Sequence, residues 1–218
     1  MTTPSVGTTP CPSDTLTGRW INLDIVDSTN EFAKRLVRED PIQDCTVILA
    51  RRQTNGKGQR NRVWVSPHGA GIYMTVIQRL DGPPPMDAAP YTLAAGLAVA
   101  EAIEEQFDLR VRIQPVNDIY VGDDKLAGIL TESIVADGSP TALLTGVGIN
   151  VYQAVRALPP GSAPATSLEE CMAGNRLDKR QFRSLTIAVA DRVIRYTRMA
   201  QKDHAQIREL IARRAPTG

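Results

Sequence analysis

The stretch "DIYVGDDKLAGILTESIVADGSPTALLTGVGINV", from Asp118 to Val151, decides the fold. It contains three apolar, β-prone segments, "DIYV", "KLAGILTESIV" and "TALLTGVGINV", separated by the short turn-forming groups "GDD" and "ADGSP". Segments joined by such short turns favour antiparallel pairing. We therefore predict three consecutive antiparallel strands within one sheet.

The flanking sequence adds further strands and helices to this sheet. The segment "YTLAAGLAVAEAIEEQF" is apolar almost all round until its acidic end, which indicates a largely buried helix. Ser28 and Ser167 are each followed three residues later by glutamate, a capping-box spacing that marks a helix start. We expect an α/β (α+β) domain with a mixed, largely antiparallel sheet flanked by helices. The remaining predicted elements are strands at Arg19–Val26, Cys45–Ala50 and Gly71–Leu80, a strand piece at Arg110–Gln114, and two helices within Leu177–Arg214.

Length and composition limit the class of protein. At 218 residues and 42% apolar, the chain is long enough for one globular domain. A net charge of +1, with three phenylalanines and two tryptophans, argues against a nucleic-acid-binding module. Three scattered cysteines argue against a disulfide framework. The two histidines lie far apart in the sequence, which argues against a metal centre built from these residues. Without a secretory signal or an apolar run near ~20 residues, we expect a cytoplasmic protein that binds neither nucleic acid nor membrane, with residues 1–18 as a disordered arm.

The loop "RRQTNGKGQRNRVW", from Arg51 to Trp64, concentrates five cationic side chains and two glycines. Glycine permits positive φ and the close approach of a ligand, so Gly56 and Gly58 could turn their amide groups toward an anion. The alternative is a solvated hairpin with a type I′ turn at Asn55-Gly56. The loop matches neither a dinucleotide fingerprint nor a phosphate-loop pattern, and its composition alone favours the hairpin.

Six short motifs occur along the chain in the order "DSTN", "Q-x-x-G-K-G-x-x-x-R-x-W-x-S-P-x-G", "ND-x-Y", "KLAGIL", "G-x-G-x-N" and "ATSL". This ordered set resembles the catalytic domain of biotin protein ligases over roughly Arg19 to Ala200. The resemblance implies a fold like that of class II aminoacyl-tRNA synthetases. It also implies an enzyme that uses ATP and Mg²⁺ to make biotinyl-5′-adenylate and pyrophosphate. The biotin then passes to a lysine of a biotin carboxyl carrier domain of a biotin-dependent carboxylase.

The resemblance also implies roles for individual residues. Lys125 would hold the reacting carboxylate and, with Arg60, stabilise the charge of the transition state; taken alone, Lys125 would be an exposed turn lysine. Asp118 would bind Mg²⁺, against the alternative of an ordinary turn residue. Ser28 would contact biotin, cap the helix, or do both. The implied biotin contacts are Ser28, Thr29, Asn30, Gln53, Lys57, Gly58, Gln59 and Lys125, and the implied nucleotide contacts are Gly56, Arg60, Arg62, Asn117 and Asn150.

The chain departs from the family's pattern at two places. "QPVND", from Gln114 to Asp118, stands where most members have K-W-P-N-D, and Gln59 replaces an arginine of the basic loop. The lost charges predict weaker nucleotide binding and a less tightly held adenylate. They also motivate a second candidate, a non-catalytic relative that binds biotin or a nucleotide. A lipoate or octanoate ligase or transferase is the third candidate, and it is disfavoured because an alkyl tail or dithiolane does not need the urea-pairing set of Ser28, Thr29, Asn30 and Gln53.

The domain organisation expected from the resemblance is simple. Residues 19–218 would form the catalytic domain, with neither an N-terminal DNA-binding domain nor a C-terminal β-barrel domain. Exposed sheet edges in such a fold make a homodimer a further prediction.

Overall fold

A computed structural model describes residues 7–9, 18–39, 43–80, 88–114, 117–136, 139–152, 161–172 and 175–214. Within these residues the chain forms one mixed sheet with helices packed on both faces. The strands are β1 (Gly7–Thr9), β2 (Trp20–Val26), β3 (Thr46–Gln53), β4 (Gly71–Arg79), β5 (Arg112–Gln114), β6 (Asp118–Val121), β7 (Asp124–Ala136) and β8 (Ser139–Asn150).

The strands lie in the order β1-β2-β3-β4-β8-β7-β6-β5. Strands β2 and β3 are parallel, and each of the other neighbouring pairs is antiparallel. The predicted run of three antiparallel strands is confirmed as β6, β7 and β8, with Ala127 opposite Ile149 on the last pair. The prediction of a mixed, largely antiparallel sheet is also confirmed.

The helices pack their apolar residues against the two faces of the sheet. Helix α2 (Ala89–Phe107) is buried along most of its length between the sheet and α4 (Lys179–Lys202), as its composition predicts. On the opposite face, α1 (Thr29–Glu39) packs Ala33 against the core residues Ile48 and Leu144. Helix α3 (Leu168–Cys171) begins with the predicted cap, since the Ser167 side chain accepts a hydrogen bond from the Glu170 amide. Helix α5 (His204–Ala212) follows α4 directly.

The connection from β2 to β3 places polar residues at one end of the sheet. Parallel strands require a crossover, and α1 supplies most of it. Val26, at the end of β2, pairs in register with Gln53, at the end of β3. The first turn of α1 therefore begins beside Gln53, at the carboxyl ends of two adjacent strands.

The N-terminal arm is only partly described. Gly7–Thr9 form β1 and pair with Trp20–Asn22, so the predicted disorder is wrong for these three residues. The open edge of β2 offers unpaired backbone groups, which explains why a segment without apolar alternation becomes a strand. Residues 1–6 and 10–17 lie outside the described chain, as do Pro115 and Val116 of the altered motif. In the part of the chain that is described, no helix is long and apolar enough to cross a membrane.

Candidate active site

A cavity of about 680 Å³ lies where the carboxyl ends of β2 and β3 meet the basic loop, β7 and β8. Gly56 is the one predicted site residue that does not line it. The cavity therefore brings together residues that are separated by more than 100 positions in the sequence. Its lining includes Ser28, Thr29, Asn30, Gln53, Lys57, Gly58, Gln59, Arg60, Arg62, Asn117, Asp118, Lys125 and Asn150.

At the end of the cavity near α1, the Gln53 carboxamide is fixed by its neighbours. Its Oε1 accepts from the Thr29 amide at 2.8 Å and from the Thr29 hydroxyl at 3.2 Å. Its Nε2 donates to Ser66 Oγ at 2.8 Å. Both lone pairs of Oε1 are thus used, and one N–H of Nε2 remains. Gln53 can therefore offer a ligand a hydrogen-bond donor.

Asn30 is also held by the protein and is only 3% exposed. Its Nδ2 donates to Glu132 Oε2 at 2.9 Å and to the Leu130 carbonyl at 3.4 Å, and its Oδ1 accepts from Thr75 Oγ1 at 2.6 Å. Both amide hydrogens are used, so the remaining capacity is one lone pair of Oδ1. Asn30 can offer a ligand an acceptor.

Lys125 is the second residue of β7, and its side chain faces the cavity with 20% exposure. The alternative of a solvent-exposed turn lysine is therefore wrong. Its Nζ lies 2.7 Å from Asp118 Oδ1 and 5.5 Å from the centre of the Trp64 ring. Asp118 Oδ1 is buried, and Lys125 is its ion-pair partner. An ammonium group is thereby held at the centre of the cavity wall.

The segments around Lys125 also place Asn150 and the "ATSL" motif. The Lys125 amide donates to the Pro164 carbonyl at 2.8 Å, and the Lys125 carbonyl accepts from the Thr166 amide at 3.0 Å. Asn150 Nδ2 donates to the Thr166 carbonyl at 3.0 Å. Three motifs that are distant in sequence are joined here by two backbone hydrogen bonds and one from the Asn150 side chain. The nearby Tyr120 also lines the cavity, and burial, with the charge of Asp118, raises the pKa of its hydroxyl.

The basic loop is a hairpin, but its turn is not where the sequence predicts it. Lys57 pairs with Val63, and the chain reverses over residues 59–61 with Arg60 at φ 54° and ψ 41°. Neither Asn55 nor Gly56 has a positive φ, so the type I′ turn is wrong. Gly56 is needed for space instead, because a Cβ there would lie 2.3 Å from the Trp64 carbonyl oxygen.

Three glycines form a part of the site that the sequence alone did not identify. A Cβ on Gly148 would lie 2.4 Å from the Trp64 indole, and one on Gly128 would lie 3.1 Å from it. A Cβ on Gly146 would lie 2.4 Å from Asn30 Oδ1. These glycines let Trp64 and Asn30 lie directly on the sheet. The motifs "KLAGIL" and "G-x-G-x-N" contain them, but only the fold shows which side chains use the space.

The metal-binding prediction rests on Asp118 alone. Among the described residues, no group of three histidine, cysteine or acidic side chains could enclose a metal ion. The buried Asp118 Oδ1, whose partner among the described residues is the Lys125 ammonium group, is nevertheless a suitable ligand atom for Mg²⁺. Such an ion is commonly bound by one or two carboxylates together with substrate phosphates. The residues present therefore fit a Mg²⁺ ion that arrives with a polyphosphate.

Comparison with known proteins agrees with this geometry. Residues 23–150, more than half of the chain, match the model of the biotin/lipoate A/B protein ligase family. The bifunctional ligase/repressor BirA of Bacillus subtilis is 35% identical over 158 residues, which cover 72% of this chain and 47% of that protein. The biotin–[acetyl-CoA-carboxylase] ligase of Paracoccus denitrificans is 33% identical over 73% of this chain and 66% of its own length. This chain thus spans about half of the first relative and two thirds of the second.

A solved structure shows the same fold. The biotin protein ligase of Aquifex aeolicus, in complex with biotin and ATP, superposes with a TM-score of 0.69 and 27% identity, over 88% of this chain and 76% of that one. The expected fold of biotin protein ligase structures, with its mixed sheet and flanking helices, is thus confirmed. By its family match and its fold, the chain belongs to the biotin/lipoate A/B protein ligase family.

Proposed function

We propose that this protein is a biotin protein ligase. In the first step, a carboxylate oxygen of biotin attacks the α-phosphorus of ATP, the α–β phosphoanhydride bond breaks, and pyrophosphate leaves. In the second, the amine of a carrier-domain lysine attacks the biotinyl carbon and AMP leaves. The observation that supports this proposal most is that Lys125, the basic loop and a set of urea-competent side chains line one cavity.

The end of the cavity near α1 suits the ureido ring of biotin. A urea presents N–H donors and a carbonyl acceptor, each of which must be paired once it is buried. Gln53 has one free donor and Asn30 one free acceptor, so the two residues complement both kinds of group. Ser28 and Thr29 lie beside them in the lining. Lipoate and octanoate have no ureido group and would leave this polar capacity unpaired, which favours biotin.

The centre of the cavity suits the reacting groups. Lys125 would leave its contact with Asp118 for the biotin carboxylate and the α-phosphate, where a positive charge stabilises the developing negative charge. The buried Trp64 Nε1 has no hydrogen-bond partner among the described residues and could donate to an oxygen of the adenylate. Asp118, Asn117 and Asn150 would face the nucleotide, with Asp118 holding Mg²⁺. When bound, that ion would neutralise phosphate charge.

The basic loop would cover the adenylate. Lys57, Gly58 and Gln59 would contact biotin, while Gly56, Arg60 and Arg62 would contact the nucleotide. The side chains of Lys57, Arg60 and Arg62 are exposed and available for anions. Closure would exclude water, which otherwise hydrolyses the mixed anhydride.

The reaction would take place in the cytoplasm, where thiols stay reduced. The partner would be a biotin carboxyl carrier domain. Assembly as a homodimer through a sheet edge remains a prediction.

A biotin-dependent exchange of labelled pyrophosphate into ATP would test the proposal. We expect exchange in the presence of biotin, ATP and Mg²⁺, and none when lipoate or octanoate replaces biotin. Biotin binding without exchange would identify the chain as the non-catalytic relative that the altered "QPVND" motif suggests. Exchange with lipoate in place of biotin would reject the proposed substrate.

A further inference from the structure

Glu132 lies on β7 outside the lining of the cavity, yet it is bonded directly to Asn30, which lines it. The two carboxylate oxygens of Glu132 have different partners. Oε1 accepts from Lys34 Nζ at 2.8 Å, and Oε2 accepts from Asn30 Nδ2 at 2.9 Å. A chain of contacts thus runs from Lys34, through Glu132, to Asn30 in the wall of the cavity.

The partners of Glu132 decide which way the Asn30 amide faces. An ionised carboxylate accepts hydrogen bonds and cannot donate them, and the same is true of the Leu130 carbonyl. Both acceptors lie on the Nδ2 side of Asn30. A flipped amide would place Oδ1 against two acceptor oxygens, a repulsive arrangement without a hydrogen bond. The amide is therefore fixed with Oδ1 toward Thr75 and Gly146.

Lys34 is the ion-pair partner of Glu132. Its ammonium group contacts both Glu31 and Glu132, at 2.9 and 2.8 Å. Partial burial lowers the pKa of Lys34, but the hydrogen bonds to Glu132 and Glu31 outweigh this effect and raise the pKa above the ordinary lysine value. Lys34 is thus charged at neutral pH and pairs with the Glu132 carboxylate.

We propose that Glu132 is a positioning residue that fixes the Asn30 amide so that it presents an acceptor, and not a donor, to an N–H group of the substrate. The inference rests on the proposed function only for the identity of that substrate, the ureido ring of biotin. Glu132 itself does not touch the substrate. Its effect on binding passes through Asn30.

The main test replaces Glu132 by leucine and uses Glu31→Leu as a matched control. Both glutamates pair with Lys34 and are similarly exposed, at 30% and 35%, but only Glu132 contacts Asn30. We expect Glu132→Leu to raise the KM for biotin by about tenfold, the effect of one buried charged hydrogen bond, with the KM for ATP and kcat unchanged. Glu31→Leu should leave all three at the wild-type values.

A double-mutant cycle separates positioning from a general structural effect. If Glu132 acts through Asn30, Glu132→Leu should add little to the KM of an Asn30→Ala variant, because the group that it orients is gone. Additive effects on biotin KM, or equal rises in the KM for biotin and ATP, would overturn the proposal. If Glu132→Leu does not fold, Glu132→Gln tests the same point. That variant has one acceptor oxygen for two donors, so an intermediate rise in biotin KM is expected and an unchanged KM would contradict the inference.

A measurement on the free protein distinguishes this inference from the proposed function. In nuclear magnetic resonance spectra, the side-chain amide protons of Asn30 should exchange slowly with solvent in the wild type and in Glu31→Leu, and faster in Glu132→Leu. Equal exchange rates in all three proteins would reject the positioning role, whatever the substrate is. A wild type without biotin-dependent exchange of pyrophosphate would instead reject the proposed function and leave this orientation of Asn30 intact.

Discussion

The two ends of the cavity differ in how far their polar groups are already paired. Near α1, Gln53 and Asn30 each make three hydrogen bonds within the protein. In the basic loop, the charged groups of Lys57, Arg60 and Arg62 are exposed to solvent. The first end is built before any ligand arrives, which lowers the entropic cost of binding. The cationic groups at the second end, in the basic loop, gain ion-pair partners only when an anionic ligand binds. Lys125 lies between these two ends. In the ligand-free protein its ammonium group pairs with the Asp118 carboxylate.

The largest expected effect is that of removing the charge between the two ends. Lys125→Met should lower biotin-dependent pyrophosphate exchange by about 10²–10³-fold, the usual loss when one stabilising group of a transition state is removed. The variant should also unfold at a somewhat lower temperature than the wild type, because the buried Asp118 carboxylate loses its charge partner. Lys179→Met, an exposed residue on α4 outside the cavity, is the control and should keep full exchange. Full exchange by Lys125→Met would remove Lys125 from the mechanism.

A smaller effect is expected from filling the space beneath Trp64. Gly148→Ala places a methyl group 2.4 Å from the indole, so it should destabilise the fold by about 1–3 kcal/mol and weaken biotin binding by about tenfold or more. Thermal unfolding and calorimetric titration would measure the two effects. Gly96→Ala, whose Cβ would lie an ordinary 3.7 Å from Ile113, should stabilise α2 by about 0.5–1 kcal/mol and leave binding unchanged. Similar behaviour of the two variants would show that Trp64 is not held by contact with Gly148.

The loop should respond to charge and salt rather than to packing. Arg60→Gly removes a cation while relieving a positive φ, so its stability should be kept. We expect the KM for ATP to rise by about tenfold at low salt and by less at high salt, because exposed charges are screened. Arg52→Ala removes an exposed cation outside the cavity lining and should not change this KM. A rise that does not depend on ionic strength would contradict an electrostatic role.

The smallest effect concerns the unusual glutamine of the loop. Gln59 lines the cavity where an arginine would add charge. Gln59→Arg should slow the release of biotinyl-adenylate by about threefold to tenfold, since it adds one charge-assisted contact. Rapid-mixing measurements of the intermediate's release would show the difference. Equal release rates for the two proteins would mean that the glutamine does not loosen the loop's hold on the adenylate.

The sequence predicted the fold better than it predicted the details of the site. Apolar runs separated by turn residues locate β6, β7 and β8, because strand pairing over short turns is local. The sequence does not predict strand β1, since "GTT" carries no alternation; among the described strands, β1 pairs with the edge of β2. The turn of the basic loop was misplaced because Asn55-Gly56 has the right residues for a type I′ turn, but pairing of Lys57 with Val63 moves the reversal to residues 59–61.

The contacts that orient the side chains of the site could not be predicted, because they join residues that are far apart in the sequence. Asn30 and Glu132 are separated by 102 positions, and neither residue type nor local spacing indicates that they meet. The same holds for Gly148, whose lack of a side chain matters only because Trp64 lies on it. The motifs identified the residues of the cavity. The fold was needed to show which hydrogen-bonding groups remain for a ligand.

The central claim is that one cavity binds biotin near α1 and the adenylate under the loop, with Lys125 at the junction. A crystal structure with a non-hydrolysable biotinyl-adenylate analogue tests it most directly. We predict the ureido ring within hydrogen-bond distance of Gln53 and Asn30, and Lys125 Nζ moved from Asp118 to the acyl-phosphate group. An analogue bound elsewhere, or a cavity in which Lys125 keeps its contact with Asp118 and does not touch the analogue, would contradict it.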